Sequence, residues 1–175
     1  QPFGGRGLSG TGPKAGGPLY LGRLVRVAPS MAVSGGHRVD PALEALAGWL
    51  AERGDGARAA KARNLAAASL HGLQAELTGP VGERNLYALH PRGDVLLLPR
   101  TREGLLDQLA AVLAEGNDAT VIWPKRERDD FAELPDEVAR RIEWREEIPA
   151  TSAFAAVLIE PGDEGIADIL SRIAA

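Results

Sequence analysis

From Val95 onward the chain alternates short apolar runs with segments of helical periodicity, and this alternation limits the folds open to it more than any other feature. Val95 to Leu98 reads as a buried strand, Thr101 to Glu115 as a helix and Thr120 to Trp123 as the next strand, with Gly116-Asn117 as the helix stop between them. A helix over much of 127–140, broken or restarted at Pro135, would lead to two more strands at Ile142 to Trp144 and Ala156 to Ile159. Asp163 would cap a final helix through Ile166, Ile169, Leu170 and Ile173. Strands and helices alternating in units of this size predict an α/β fold built on a mostly parallel, Rossmann-like sheet with right-handed crossovers.

Two helices are predicted ahead of this region. Asp40 can cap, Pro41 suits a first helical position, and Leu43, Leu46, Ala47 and Leu50 recur at helical spacing before Gly54. After Gly54-Asp55-Gly56, an alanine-rich helix over 58–77 would carry Ala62, Ala66, Leu70, Leu73 and Leu77 on one face. Leu77 to Arg92 then reads as a loop entering a short extended run at Leu86 to Leu89.

The first 36 residues differ in kind. Seven of the first seventeen are Gly, and a second punctuation, Ser34-Gly35-Gly36, closes the segment, so it reads as an extended arm. Gly5-Arg6-Gly7-Leu8-Ser9-Gly10 matches the dinucleotide pattern G-x-G-x-x-G in letters only. No strand precedes it and no helical periodicity follows it, so it does not predict a phosphate site. The first strand-to-helix turn of the α/β region, Leu98-Pro99-Arg100-Thr101-Arg102, also lacks the glycines that let a phosphate approach.

Two motifs at compatible separation carry a resemblance. Pro2-Phe3-Gly4-Gly5, with Ser9 to Gly17 after it, and Gly79-Pro80-Val81-Gly82-Glu83-Arg84-Asn85, with Tyr87 and Pro91-Arg92-Gly93 after it, resemble elements of the proline utilization A family of bifunctional proline-catabolic flavoenzymes. The resemblance is tight over 1–24 and 79–99 and looser elsewhere. It implies a carboxy-terminal piece of a longer enzyme: residues 1–36 as the end of an aldehyde dehydrogenase domain, 37–78 as a helical linker region, and 79–175 as an aldehyde-dehydrogenase-like, noncatalytic accessory domain that helps cover the passage between two active sites. The family's long versions continue beyond the position of Ala175.

By the same resemblance Phe3 lines the aldehyde pocket, and Gly16 and Gly17 anchor the α-carboxylate of glutamate semialdehyde through backbone amides. Adjacent unencumbered N–H groups in a turn do form a concave donor site for a carboxylate. The parent would oxidise proline to glutamate through pyrroline-5-carboxylate, using FAD and then NAD, and the rest of that enzyme would be this chain's partner.

Composition removes other chemistries. Aldehyde oxidation in this family needs a cysteine nucleophile, and the chain has none, so it is expected to be catalytically silent alone, with no cofactor and no metal of its own. His37, His71 and His90 share no ligand spacing. Twenty basic residues against 24 acidic ones, mixed in sign, give no footprint for nucleic acid. No apolar run reaches membrane-spanning length, and the reading is cytoplasmic. A free-standing Rossmann-like binding module and a purely structural oligomerisation module stay open as alternatives, the second because an unpaired edge of a truncated sheet invites self-association into a homo-oligomer.

Overall fold

The computed structural model describes residues 38–77, 85–149 and 153–160, together with Gly82, Gly162, Leu170 and Ser171. The chain divides into two compact units, one formed by residues 1–38 and 72–89 and the other by 39–71 and 90–175.

In the first unit the described residues form a hairpin. Strand β1 (Gln74–Leu77) pairs antiparallel with β2 (Asn85–Ala88), with Gln74 opposite Ala88 and Leu77 opposite Asn85. Leu73 precedes it, buried, and its carbonyl accepts from the Leu89 N–H at 2.9 Å. Gly72 takes φ +74°, where a Cβ would lie 3.3 Å from the Arg38 Cβ. Burial raises the Tyr87 phenol above its ordinary pKa.

The second unit opens with α1 (Pro41–Glu52). Asp40 caps it, its carboxylate accepting from the Ala42 N–H at 2.8 Å, and Pro41 stands at the first position as its fixed φ favours. Leu43, Leu46, Ala47 and Leu50 are buried, as the spacing predicts. Gly54, at φ +80°, ends the run, and Asp55 caps α2 (Gly56–Ala68) by accepting from the Arg58 N–H at 3.1 Å. Hydrogen bonds from the Arg58 side chain and N–H hold the Asp55 carboxyl below its ordinary pKa.

Helix α2 is shorter than the expected 58–77. Ser69 at its C-cap takes an extended backbone, and its hydroxyl turns away to donate to the Ala114 carbonyl at 2.6 Å. The remaining apolar residues therefore serve the hairpin rather than a helical face, and Leu70 is 36% exposed.

The sheet has four parallel strands in the order β5-β4-β3-β6: β3 (Asp94–Leu98), β4 (Asp118–Ile122), β5 (Ile142–Arg145) and β6 (Ala156–Ile159). Helix α3 (Arg102–Ala114) connects β3 to β4. The unit is a Rossmann-like α/β fold, the fold class expected from the alternation.

The expected helix over 127–140 is instead two single 3-10 turns, Lys125–Glu127 and Asp129–Phe131, followed by the short helix α4 (Asp136–Ala139). Pro135 cannot continue a helix and caps this one. Of the expected helix over 163–173, only Leu170 and Ser171 fall among the described residues, and both are helical.

The core lies between one face of the sheet and the helices. Val95 and Leu97 of β3 and Ala119 and Val121 of β4 meet Leu46 and Leu50 of α1, Ala59 and Ala62 of α2, and Leu105, Leu109 and Leu113 of α3. The alternate strand residues Leu96 and Thr120 are also buried, as a strand with both faces covered requires. Among the described residues no helix is long and apolar enough to cross a membrane.

Arg141 ties the helical layer to the sheet. It donates to the Asp40 carboxylate at 3.0 Å, to the Gly116 and Asn117 carbonyls at 2.6 and 2.9 Å, and to the Asp118 carboxylate. Burial alone would lower its pKa, but the two carboxylates outweigh burial and raise it. Replacing Arg141 by Leu would leave Asp40, 6% exposed, without its cation and two carbonyls without a donor. The expected cost is about 2–4 kcal/mol, read as a lower urea midpoint; an unchanged midpoint would remove Arg141 from this role.

Two glycines should respond in opposite directions. Gly116 has φ +69°, and a Cβ there would fall 2.3 Å from the His71 ring, so Gly116→Ala should destabilise by about 1–3 kcal/mol. Gly48 stands inside α1 with nothing within 4 Å of an added Cβ, so Gly48→Ala should raise the melting temperature by removing the helical cost of glycine, up to about 1 kcal/mol. Thermal denaturation of the two variants side by side checks both signs.

Candidate functional site

The chain enters the sheet at β3, moves outward through β4 and β5, then returns to the other side of β3 as β6. That reversal makes the crevice between the carboxyl ends of β3 and β6 the switch point, where open α/β sheets bind their ligands. Leu98-Pro99-Arg100-Thr101 leads from β3 into α3 on one side of it, and Glu160 follows β6 on the other.

Thr101 caps α3, its hydroxyl oxygen accepting from the Gly104 N–H at 2.9 Å. The Glu160 carboxylate lies against the same turn. One oxygen accepts from the Arg100 and Thr101 N–H groups at 2.6 and 2.9 Å, and the other accepts from the Thr101 hydroxyl at 2.7 Å. The Glu160 N–H donates back to the Leu98 carbonyl at 3.1 Å.

Burial works against the charge on Glu160, but the hydrogen bonds from Thr101 and from the two backbone amides, with the Arg100 guanidinium nearby, outweigh it. The carboxyl therefore titrates below its ordinary value. A depressed folded pKa gives stability that is complete above the ordinary carboxyl range and is lost as pH falls through the folded value.

Beside this turn is an aromatic layer. The Trp123 and Phe131 rings meet edge to face with centroids 6.0 Å apart, and Phe131 and Trp144 lie tilted at 5.5 Å. The Trp123 indole N–H donates to the Glu127 carbonyl at 3.2 Å, and Arg128 returns two hydrogen bonds to the Trp123 carbonyl. The Arg102 guanidinium lies 5.9 Å from the Trp49 ring and 5.8 Å from the Phe131 ring. Trp49 and Trp123 are buried in the core and Trp144 packs against it, so the three tryptophans serve as anchors of this unit.

The site residues expected from the sequence, Phe3, Gly16 and Gly17, lie outside the described residues, as do Gly5 to Gly10. Of the second glycine motif, Gly82 takes φ +92° and Asn85 opens β2. His71 and His90 do not share a site, and among the described residues no group of three or more His, Cys, Asp or Glu could hold a metal ion. Glu160, Gly104 and Arg141 were not singled out by sequence reasoning. Thr101 carries a local cap signal, but nothing near Glu160 in sequence marks it as the partner of a turn 59 residues away.

No family model matches the chain. Whole-chain similarity to individual proteins is nonetheless high: 49% identity over 175 residues to the bifunctional protein PutA of Rhizobium meliloti, 39% over 194 residues to that of Klebsiella aerogenes, and 38% over 191 residues to that of Salmonella typhimurium. Each alignment covers 100% of this chain and 14% of the relative. The chain is therefore a segment of PutA type, related along its whole length to about 14% of these bifunctional proteins.

Proposed function

We propose that the chain works as part of a bifunctional enzyme that oxidises proline to glutamate, with pyrroline-5-carboxylate between an FAD-dependent and an NAD-dependent step. The observation that carries this reading is the 49% identity over the whole chain to a protein described as bifunctional PutA. The name applies to the relative; the substrates follow from the resemblance of the two glycine motifs.

Within that enzyme the chain has two tasks. Residues 1–24 supply the aldehyde site, with Phe3 beside the substrate chain and the Gly16 and Gly17 amides on the α-carboxylate of glutamate semialdehyde. The α/β region is an accessory domain that covers the passage between the two active sites. Hydride transfer to NAD and thiol attack on the aldehyde belong to the remainder of the enzyme, since the chain contains no cysteine. Dinucleotide does not fit the switch point of the α/β unit, where the Glu160 carboxylate already holds the amides a phosphate would need.

Assayed as the 175-residue chain, the protein should turn over neither proline nor glutamate semialdehyde; sustained NADH formation at the correct intact mass would refute the accessory reading. In the longer enzyme, replacing Gly17 by Val should raise KM for glutamate semialdehyde about tenfold or more by crowding the carboxylate, while leaving proline oxidation unchanged. Equal losses in both half-reactions would point to misfolding and against a substrate anchor.

A further inference from the structure

In a doubly wound sheet, nucleotide phosphates rest on backbone amides where the first strand turns into its helix, and glycines clear the space for them. Every one of those features is present here in altered use. Pro99 brings no N–H to the turn, the Arg100 and Thr101 amides both end on Glu160, and the Thr101 hydroxyl donates to the same carboxylate. Gly104 opens the space from the helix side, since a Cβ there would lie 1.9 Å from a Glu160 oxygen. Gly162 does likewise for the neighbouring cation, since a Cβ there would lie 2.3 Å from the Arg100 guanidinium carbon. Two glycines thus do for this chain's own side chains what glycines of a phosphate loop do for a ligand.

The geometry points to Glu160 as a built-in anion that closes the switch-point crevice to phosphate-bearing ligands and clamps the end of β6 to the β3–α3 turn. The hydrogen-bonding capacity of the turn is spent within the protein, and a phosphate approaching it meets a fixed negative charge instead of free donors. This deepens the accessory reading and rests on it. The two fail separately, because a nucleotide bound by the 175-residue chain would overturn the closure while leaving the role of the amino-terminal glycines untouched.

The test is a titration of the 175-residue chain with ADP, followed by amide NMR. In the unaltered chain the Arg100, Thr101 and Gly104 amide signals should stay in place at millimolar ADP, whereas in Glu160→Ala the same signals should move and saturate. Saturable movement in the unaltered chain would overturn the closure, and so would a folded Glu160→Ala chain that ignores ADP equally. Should that variant not fold, Gly104→Ala examines the clamp with the carboxylate still present. Its methyl group displaces Glu160, so hydrogen exchange at the Arg100 and Thr101 amides should accelerate about tenfold or more; unchanged protection there would also overturn the inference.

Discussion

Helix α3 is buried along more than half its length, and burial obliges the polar groups at its two ends to find partners inside the protein. That obligation organises much of the second unit. At the carboxyl end, Ser69 donates to the Ala114 carbonyl and Arg141 donates to those of Gly116 and Asn117. At the amino end, Thr101 accepts from Gly104 while Glu160 takes up the Arg100 and Thr101 amides. Four groups that come from the end of α2, the turn before β5, the cap of α3 and the end of β6 are thereby brought to one helix. The apolar contacts of Leu105, Leu109 and Leu113 supply the larger share of the burial, but they are non-directional. The end groups fix how α3 lies on the strands it connects.

The two ends are solved with opposite charges, in the sense the helix dipole favours: a carboxylate at the amino end and a guanidinium at the carboxyl end. Each charge is balanced differently. Arg141 has Asp40 and Asp118 as counterions, so its site joins the first residue of the helical layer to the first residue of β4. Glu160 has mainly neutral donors around it, with the Arg100 guanidinium nearby, which makes it a better imitation of a bound phosphate than of an ion pair. The same arrangement that completes the helix also withdraws the switch point from ligand binding. An accessory domain can in this way keep the strand order of a nucleotide-binding fold without its chemistry.

Local chemistry was legible in the sequence and distant pairing was not. Asp40-Pro41 announced the start of α1, and Gly116-Asn117 the end of α3, because caps act within a few residues. The strands at 94–98 and 118–122 followed from short apolar runs bounded by breakers. The alanine-rich segment misled because Leu70, Leu73 and Leu77 continue a helical spacing, while the chain leaves the helix at Ser69 to satisfy a carbonyl 45 residues away. The segment around Pro135 misled for the opposite reason: its polar residues suit a helix, but Trp123 and Arg128 hold it in short turns through side-chain bonds to carbonyls. Within the candidate site, the absence of glycines between Leu98 and Arg102 was readable and argued against phosphate. That a carboxylate stands in its place required the position of β6 beside β3, which no local pattern encodes.

The edge position of β6 explains why such a clamp matters more there than elsewhere in the sheet. Strands β3 and β4 are flanked on both sides and bury three consecutive residues each, so their docking is secured many times over. Among the described residues β6 has one neighbour, and its side chains are exposed or half-buried throughout. Its ladder to β3 contributes net hydrogen bonds of about 0.5–1.5 kcal/mol each, with less apolar burial to add to them than the inner strands have. Three charge-assisted bonds on Glu160 at the end of that strand are therefore a substantial part of what holds it, and they are sensitive to protonation where the rest of the ladder is not. Acid should loosen the sheet first at β6, before the core around Leu109 is exposed, because only the edge strand relies on a carboxylate for its attachment.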